Sequence, residues 1–199
     1  MEKITVNIPG SVSAIFIGEN WETVSRLLPQ SGVIILTDQN VNSLYGKKFP
    51  DFPVLVVKPG EQSKRLEVIS KLAEKLLEGG IDRSGFLLGI GGGVVCDITG
   101  FLASVYMRGI RFGYVSTTLL AQVDASTGGK NGVNLGDSKN ILGCFRQPEF
   151  VICDPVMLYT LTDEEYLSGL AELIKTGIIG NVKLFEAIER NHEAIIRRD

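Results

Sequence analysis

The chain has 199 residues, of which 44% are hydrophobic and 22% charged, a composition typical of a globular protein with a sizeable core. Its net charge of −3 gives no general reason to expect nucleic-acid binding. No apolar run approaches the ~20 residues that a membrane-spanning helix needs, so we expect no membrane partner.

The three cysteines, Cys96, Cys144 and Cys153, show no paired spacing, which favours a reducing compartment over a disulfide scaffold. The opening segment MEKITVNIPG lacks the basic-then-apolar pattern of a secretory signal. These features predict a soluble protein of the cytoplasm.

Short apolar runs with alternating or β-branched residues predict the first strands. KITVNI and SAIFIG are typical of a hairpin, and VIILTD and FPVLVVKPG of two further strands. Apolar residues at helical spacing then predict a helix from Gln62 to Glu78, which Gly79 and Gly80 stop.

The middle of the chain continues the alternation of strand and helix. GFLLGI predicts a buried strand, and a helix from Val94 to Tyr106 follows three glycines. RFGYVS predicts the next strand and TTLLAQVDAS a short helix. The Gly- and Asn-rich segment 127–140 predicts a long loop without regular structure, of the kind that is often functional. EFVICD predicts the last strand.

After Pro155 the pattern is helical only. Thr162 and Glu165 have the spacing of a capping box, and VKLFEAIERNHEAIIRR predicts a further amphipathic helix. We therefore expect an α/β domain over 1–155 and the beginning of an all-α second domain over 156–199. The order of strands and helices predicts a Rossmann-like parallel sheet with an N-terminal hairpin.

Ligands of such sheets bind beyond the carboxyl ends of the strands, and most polar candidates lie there. Gly91–Gly93, before a helix, could expose backbone N–H groups to a pyrophosphate, or could form only a tight, closely packed turn. Asp38 could accept hydrogen bonds from ribose hydroxyls or cap a helix. Lys130 and Lys139, in the predicted loop, suit a phosphate or are simply solvated.

Four other residues allow two interpretations from the sequence. Asp97 is either a first-turn charge or a ligand group, and Asp124 needs a partner if it is buried. Glu172 and Lys175, three residues apart on a helix, are typical of a surface salt pair. The single histidine, His192, lies in a charged stretch and is expected to be solvated, so no complete histidine-containing metal site is predicted.

Six segments in order resemble one known family: PGEQSK, GGGVVCDITGF, YMRGI, STTLLAQVDASTGGKNGVN, SKNILGCFRQP and GLAELIKTGII. Together they resemble the 3-dehydroquinate synthases over nearly the whole chain. The resemblance implies a lyase of the shikimate pathway that converts 3-deoxy-D-arabino-heptulosonate 7-phosphate to 3-dehydroquinate and phosphate. It also implies NAD, which is used and regenerated within one cycle, a Zn²⁺ or Co²⁺ ion, and a cytoplasmic homodimer.

The resemblance assigns site residues position by position. The implied catalytic and substrate-contacting residues are Asp124, Lys130, Lys139, Asn140, Lys175 and Arg108, the last reaching the substrate phosphate across a dimer interface. The implied NAD-binding residues are Asp38, Asn40, Glu61, Lys64, Gly92, Gly93, Val94, Asp97, Thr117, Thr118, Lys130, Lys139 and Thr160. Glu172 is the implied metal ligand, which replaces its interpretation as a surface salt pair with Lys175.

The chain departs from the family pattern in three ways. Cys96 and Ser116 stand where the family usually has glycine and proline, but neither position supplies a ligand. Family members are much longer, and their second half supplies two histidine zinc ligands that are absent here. We therefore expect a truncated chain without catalytic activity. Another sugar-phosphate cyclase, a glycerol-dehydrogenase-like oxidoreductase and a non-catalytic NAD-binding module remain as alternatives.

Overall fold

The structure, a computed structural model, describes residues 1–8 and 10–199. Its strands are β1 (Glu2–Ile8), β2 (Ser11–Ile17), β3 (Val33–Asp38), β4 (Val54–Val57), β5 (Phe86–Gly91), β6 (Arg111–Ser116), β7 (Lys130–Leu135), β8 (Ser138–Phe145) and β9 (Phe150–Cys153). Its helices are α1 (Gln39–Tyr45), α2 (Leu66–Glu78), α3 (Gly93–Val105), α4 (Asp163–Gly180), α5 (Val182–Arg190) and α6 (His192–Arg197).

Seven strands form one sheet in the order β1-β2-β9-β6-β5-β3-β4, and β7 and β8 form a separate hairpin. Only the β1–β2 pair is antiparallel in the large sheet. Along the chain, β4 lies on one side of β3 and β5 on the other. The strand order therefore reverses between β3 and β5, and such a switch point is where open α/β sheets bind ligands.

The apolar runs become strands because both faces of the sheet are covered. Along β3, Ile34 and Leu36 pack into one cluster with α2 and α3, whereas Val33 and Ile35 pack into a second cluster around Trp21. All six residues of β5 are buried. Strands that are buried on both faces are expected to have continuous rather than alternating apolar sequences.

Most of the predicted elements are confirmed. The N-terminal hairpin, the core strands, the mixed α/β class and the absence of strands after Asp154 all agree with the structure. The helix predicted from Gln62 begins at Leu66, after a short 3-10 turn over Glu61–Ser63. The last predicted helix is interrupted at Asn191, giving α5 and α6. Helix α1 and a 3-10 helix over Trp21–Leu27 were not predicted.

The predicted loop over residues 127–140 is wrong, because most of it belongs to the β7–β8 hairpin. The turn between Leu135 and Ser138 contains Gly136 with φ +57°, a conformation that glycine adopts without cost. The Gly-Asp pair at 136–137 is a recognised turn signal. The many glycines and asparagines made this segment resemble a loop. The glycines are nevertheless compatible with strands, because Gly132 and Gly143 face each other across the ladder where side chains would not fit.

Helix α4 packs directly on the segment that follows β6. Leu119, Tyr166 and Leu170 form a buried cluster. At Gly169 an added Cβ would lie 2.6 Å from both the Leu119 Cβ and the Leu120 backbone nitrogen, so only glycine permits this approach. Across residues 1–8 and 10–199, no helix is both long enough and apolar enough to cross a bilayer.

Candidate functional site

A cavity of about 670 Å³ lies at the carboxyl ends of the central strands. Much of its wall is formed by residues at or shortly after the ends of four parallel strands: Asp38 and Asn40 at the end of β3, Gly60 and Glu61 after β4, Gly92 and Gly93 after β5, and Thr117 and Thr118 after β6. Thr160, in the segment between β9 and α4, also lines it. Four strand ends therefore meet around one cavity, at and beside the switch point.

The glycines at the end of β5 permit a close approach of three elements. An added Cβ at Gly91 would lie 2.5 Å from the Val95 side chain, and one at Gly92 would lie 2.8 Å from Thr118 Cγ2. Helix α3 begins at Gly93 with Gly92 as its N-cap, and no side chain in the described part of the chain caps it. Close packing thus explains the glycines, and the same turn leaves N–H groups at the helix start to bind an anion.

Asp38 does what its helix-cap interpretation predicts. Its Oδ1 accepts hydrogen bonds from the N–H groups of Asn40 and Val41 at 2.8 and 3.0 Å and caps α1. Within the residues that the structure describes, Oδ2 has no hydrogen bond, and the side chain lines the cavity. A carboxylate in this position can cap the helix and still accept a bond from a ligand hydroxyl.

Two threonines and a tyrosine add hydroxyl groups to the cavity wall. Thr117 is 3% exposed, and among the described residues its Oγ1 has no hydrogen-bond partner. A buried hydroxyl without a partner costs free energy, which a ligand in the cavity can recover. On the opposite side, Tyr45 Oη and Thr160 Oγ1 are 2.7 Å apart and join α1 to the segment after β9. Tyr45 was missed in the sequence, because α1 itself was not predicted.

The most buried charge in the wall is Lys64, which is 4% exposed. Its Nζ donates to Asp97 Oδ2 at 2.5 Å and to Asn140 Oδ1 at 2.7 Å, and Glu61 Oε1 lies 3.7 Å away. Burial raises the pKa of the Asp97 carboxyl, and the hydrogen bond and charge of Lys64 lower it in part. Asp97 is therefore a partly buried, ion-paired carboxyl in the cavity wall rather than a simple first-turn charge.

A second cavity, of about 380 Å³, adjoins the first. Asp97 lines both of them, while Lys130 and Asn140 line only the second. Lys130 Nζ lies 3.8 Å from Asp124 Oδ1, so the partner that the sequence could not name for Asp124 is a lysine. The ion pair of Lys64 and Asp97 thus stands between a large cavity and a smaller one.

Asn134 is a second polar residue near this site, besides Tyr45, that was not predicted from the sequence. It lies in β7, within the segment predicted to be a loop, and its side chain bonds to Glu61 and to the backbone of Asn140. Its partners are 73 and six residues away along the chain. The only available signal was its place in the Asn-rich segment, which gave no direction for the side chain.

Several predicted site residues lie outside the two cavities. Lys139 and Arg108 are not among the described residues that line either cavity. Arg108 follows α3 at the amino-terminal edge of the sheet, with φ +69°. Glu172 and Lys175 form an ion pair on α4, and the hydrogen bond with Glu172 raises the pKa of Lys175. Within the described ranges, no three His, Cys, Asp or Glu side chains are grouped to hold a metal ion.

His192 is exposed, as predicted, and its Nδ1 lies 2.9 Å from the Glu189 carbonyl oxygen. Cys96 and Ser116, the two departures from the family pattern, are both fully buried beneath the glycine turn. Neither is among the described residues that line the two cavities.

The sequence profile of the 3-dehydroquinate synthase N-terminal family matches residues 54–168, which include most of the cavity wall. The chain belongs to this family. The 3-dehydroquinate synthase of Alkaliphilus metalliredigens is 42% identical over 96% of the chain, and that of Dictyoglomus turgidum is 39% identical over 100%. The alignments span 56% and 58% of these two relatives, so the chain covers little more than half their length.

Solved structures of sugar-phosphate cyclases share the fold. A 2-epi-5-epi-valiolone synthase from Streptomyces hygroscopicus, solved with NAD⁺ and Zn²⁺, is 26% identical with a TM-score of 0.85 over 97% of this chain and 56% of its own. A 2-deoxy-scyllo-inosose synthase, solved with carbaglucose-6-phosphate, NAD⁺ and Co²⁺, is also 26% identical, with a TM-score of 0.75 over 89% of this chain and 52% of its own. The family resemblance and the fold class predicted from the sequence are both confirmed.

Proposed function

We propose that this chain supplies the NAD-binding part of a 3-dehydroquinate synthase. The reaction would convert 3-deoxy-D-arabino-heptulosonate 7-phosphate to 3-dehydroquinate and phosphate. The main supporting observation is the cavity at the switch point, where a helix start, a carboxylate oxygen and a buried hydroxyl converge that have no hydrogen-bond partner among residues 1–8 and 10–199. Membership in the family supports the more specific assignment of this site to NAD in that reaction.

The residues present fit NAD. The turn at Gly92 and Gly93 would take the pyrophosphate, because no side chain in the described part of the chain caps its backbone N–H groups and the absent Cβ at Gly92 leaves the backbone bare. Asp38 Oδ2 would accept a ribose hydroxyl, and Thr117 Oγ1 would gain the partner it lacks. When bound, NAD would supply the hydride acceptor and donor. The chain's own part is to bind and orient it.

The residues present do not by themselves fit a catalytic metal. Glu172 is the one ligand that the resemblance implies in this chain, and a catalytic Zn²⁺ ordinarily takes three protein ligands. Glu172 is paired with Lys175 in this structure. We propose that it joins ligands supplied by the remainder of a full-length enzyme.

The charged residues around the second cavity suit an anionic substrate. Lys130 is 68% exposed and held near Asp124, so it is available to a phosphate or carboxylate. Lys64 keeps the buried Asp97 carboxyl in place between the two cavities. We propose that the second cavity receives part of the substrate, with Lys139, Asn140 and Lys175 as further contacts.

Residues 1–155 would be the NAD-binding domain and 156–199 the beginning of the helical domain. The enzyme would be a cytoplasmic homodimer, because Arg108 lies at the opposite edge of the sheet from its own cavities and would reach a partner's substrate. These 199 residues alone would be inactive, because Glu172 is the only implied metal ligand among them.

A chimeric enzyme tests the reaction. Residues 1–199 would replace the matching part of the Alkaliphilus metalliredigens 3-dehydroquinate synthase, whose remaining segment completes the protein. We expect this chimera to release phosphate from 3-deoxy-D-arabino-heptulosonate 7-phosphate only with NAD and a divalent metal. The matched Lys64→Met chimera should be much slower. A folded chimera that binds NAD but releases no phosphate would refute the assignment.

The same assay separates the alternatives. A synthase regenerates NAD within each cycle, so no NADH accumulates, whereas a glycerol-dehydrogenase-like enzyme would accumulate NADH with an alcohol substrate. Residues 1–199 tested alone should bind NAD without releasing phosphate. Zinc-dependent phosphate release by these residues alone would contradict the proposed inactivity.

A further inference from the structure

Asn134 connects the two chain segments that surround Lys64. Its side-chain Nδ2 donates to Glu61 Oε1 at 2.9 Å, and its Oδ1 accepts from the Asn140 backbone N–H at 2.9 Å. Its own backbone N–H donates to the Lys64 carbonyl oxygen at 2.8 Å. One residue therefore bonds to three residues of the candidate site.

The bond to Asn140 matters because of the backbone there. Asn140 has φ +57°, in the left-handed region that costs most residues about 1–2 kcal/mol. In this conformation its side-chain oxygen accepts from Lys64 Nζ at 2.7 Å. The Asn134 side chain holds the Asn140 N–H and thus fixes the turn that directs the Asn140 amide toward the buried lysine.

The bond to Glu61 fixes the second neighbour of Lys64. The Glu61 side chain is 39% exposed and its Oε1 lies 3.7 Å from Lys64 Nζ, too far for a hydrogen bond. Asn134 is the residue that donates to the same carboxylate oxygen. Without it, a partly exposed glutamate on a short 3-10 turn would have several rotamers available.

We infer that Asn134 is a positioning residue, which fixes Glu61 and Asn140 around Lys64 and thereby shapes the wall between the two cavities. The effect on NAD rests on the proposed function, whereas the hydrogen bonds do not. A merely structural role, in which the residue anchors the β7–β8 hairpin through its backbone, would leave the identity of the side chain unimportant.

A polarity swap separates these two roles. Asn134→Asp keeps the size and the acceptor for Asn140 but replaces the donor to Glu61 by a second carboxylate. Adding Glu61→Gln restores the hydrogen bond with its direction reversed, because the amide introduced at position 61 can donate to the carboxylate introduced at position 134. NAD affinity of the 199-residue chain is measured by calorimetry for Asn134→Asp, both alone and combined with Glu61→Gln. Asn7→Asp, on exposed strand β1 at the far edge of the sheet, controls for the added charge.

We expect Asn134→Asp to weaken NAD binding about tenfold when Glu61 is intact, and less than about threefold when it is introduced into the Glu61→Gln variant. Asn7→Asp should leave the affinity unchanged. An equal loss in both backgrounds, or no loss in either, would overturn the positioning role while the wild-type affinity still supports the proposed function.

A measurement without ligand keeps the two proposals distinguishable. Hydrogen exchange of the Asn140 backbone amide should be at least about tenfold faster in Asn134→Ala than in wild type, while amides in the core strand β5 change much less. If wild type binds no NAD, the proposed function fails, and this exchange rate alone decides the inference. Unchanged exchange at Asn140 would overturn it.

Discussion

Lys64 Nζ lies 2.5 Å from Asp97 Oδ2, and this bond joins the turn after β4 to the second turn of α3, the helix after β5. The side chains are 5% and 20% exposed. The two residues are 33 positions apart in the chain, yet their ion pair forms the wall between the two cavities. In a largely buried ion pair each charge offsets the desolvation cost of the other, so either charge alone would destabilise the fold.

Replacement of Lys64 by methionine should therefore destabilise the fold by about 2–4 kcal/mol at pH 8. It removes the interaction that lowers the pKa of Asp97 and leaves burial, which raises it. The folded state then holds the Asp97 proton at pH values where the unfolded chain, with a carboxyl pKa of about 4, has lost it. The free energy of unfolding of the variant should fall as pH rises through this window.

Urea denaturation between pH 5 and pH 8 measures this effect. Lys71→Met is the matched control, because Lys71 is exposed on α2 and forms no ion pair among the described residues. The control should differ from wild type by about 0.5 kcal/mol or less at both pH values. A loss in Lys64→Met that is the same at pH 5 and pH 8 would show that Asp97 is not its cause.

Two glycines of α4 offer a direct test of how this helix packs. Gly169→Ala should destabilise by about 1–3 kcal/mol, because the new methyl group would lie 2.6 Å from the Leu120 backbone nitrogen. Gly180→Ala meets nothing within 4 Å and should be neutral or stabilising by up to about 1 kcal/mol. Thermal unfolding of both variants is the measurement. Similar losses in the two would contradict the close contact between α4 and the segment after β6.

The glycine turn can be tested for packing and for ligand approach separately. Gly92→Ala should destabilise by about 1–3 kcal/mol, since its methyl group would lie 2.8 Å from Thr118 Cγ2. Adding Thr118→Ser removes that carbon but keeps the hydroxyl that accepts from the Ala121 N–H. The double variant should recover most of the stability.

NAD affinity of the double variant then decides between the two roles of Gly92. If the pyrophosphate approaches this backbone, the added methyl should still weaken binding at least about fivefold. Full recovery of both stability and affinity would mean that Gly92 serves only the packing of the turn.

Cysteine reactivity should follow burial. Burial raises the pKa of the Cys96 thiol well above its usual value and that of Cys153 to about 11, whereas Cys144 is only partly buried and lines the second cavity. In the native state at pH 8 a thiol reagent should modify one cysteine quickly, and Cys144→Ser should remove that fast phase. Fast modification of two thiols in native protein would contradict the packing around α3.

The sequence predicted the sheet well because its signals are local. Apolar runs such as those of β3 and β5 form strands wherever both faces of the sheet are buried. The polar residues and glycines that follow Asp38 and Gly91 mark where these two strands end. The rule that ligands bind at the carboxyl ends of parallel strands then identified the cavity wall without any knowledge of contacts. The parallel pairing of β2 with β9 joins distant segments and had no local signal.

The site residues could be predicted only where their role depends on nearby residues in the sequence. Free helix starts and strand-end carboxylates could be named, and Asp38 indeed caps α1. The partners of Lys64 could not be named, because they depend on how the β7–β8 hairpin lies across α3. Asn134 was missed for the same reason, since its role comes from a hydrogen bond to Glu61 that only the tertiary structure creates.

The most direct test of the central claim, that the cavity at the strand ends binds NAD, is a calorimetric titration of the 199-residue chain with NAD, with and without zinc. We predict saturable one-site binding that zinc does not change, because Glu172 is not among the described residues lining this cavity. Thr117→Val, which removes a buried hydroxyl without a partner, should keep or raise stability while weakening NAD about tenfold. No saturable binding by a wild-type chain that unfolds cooperatively would contradict the account.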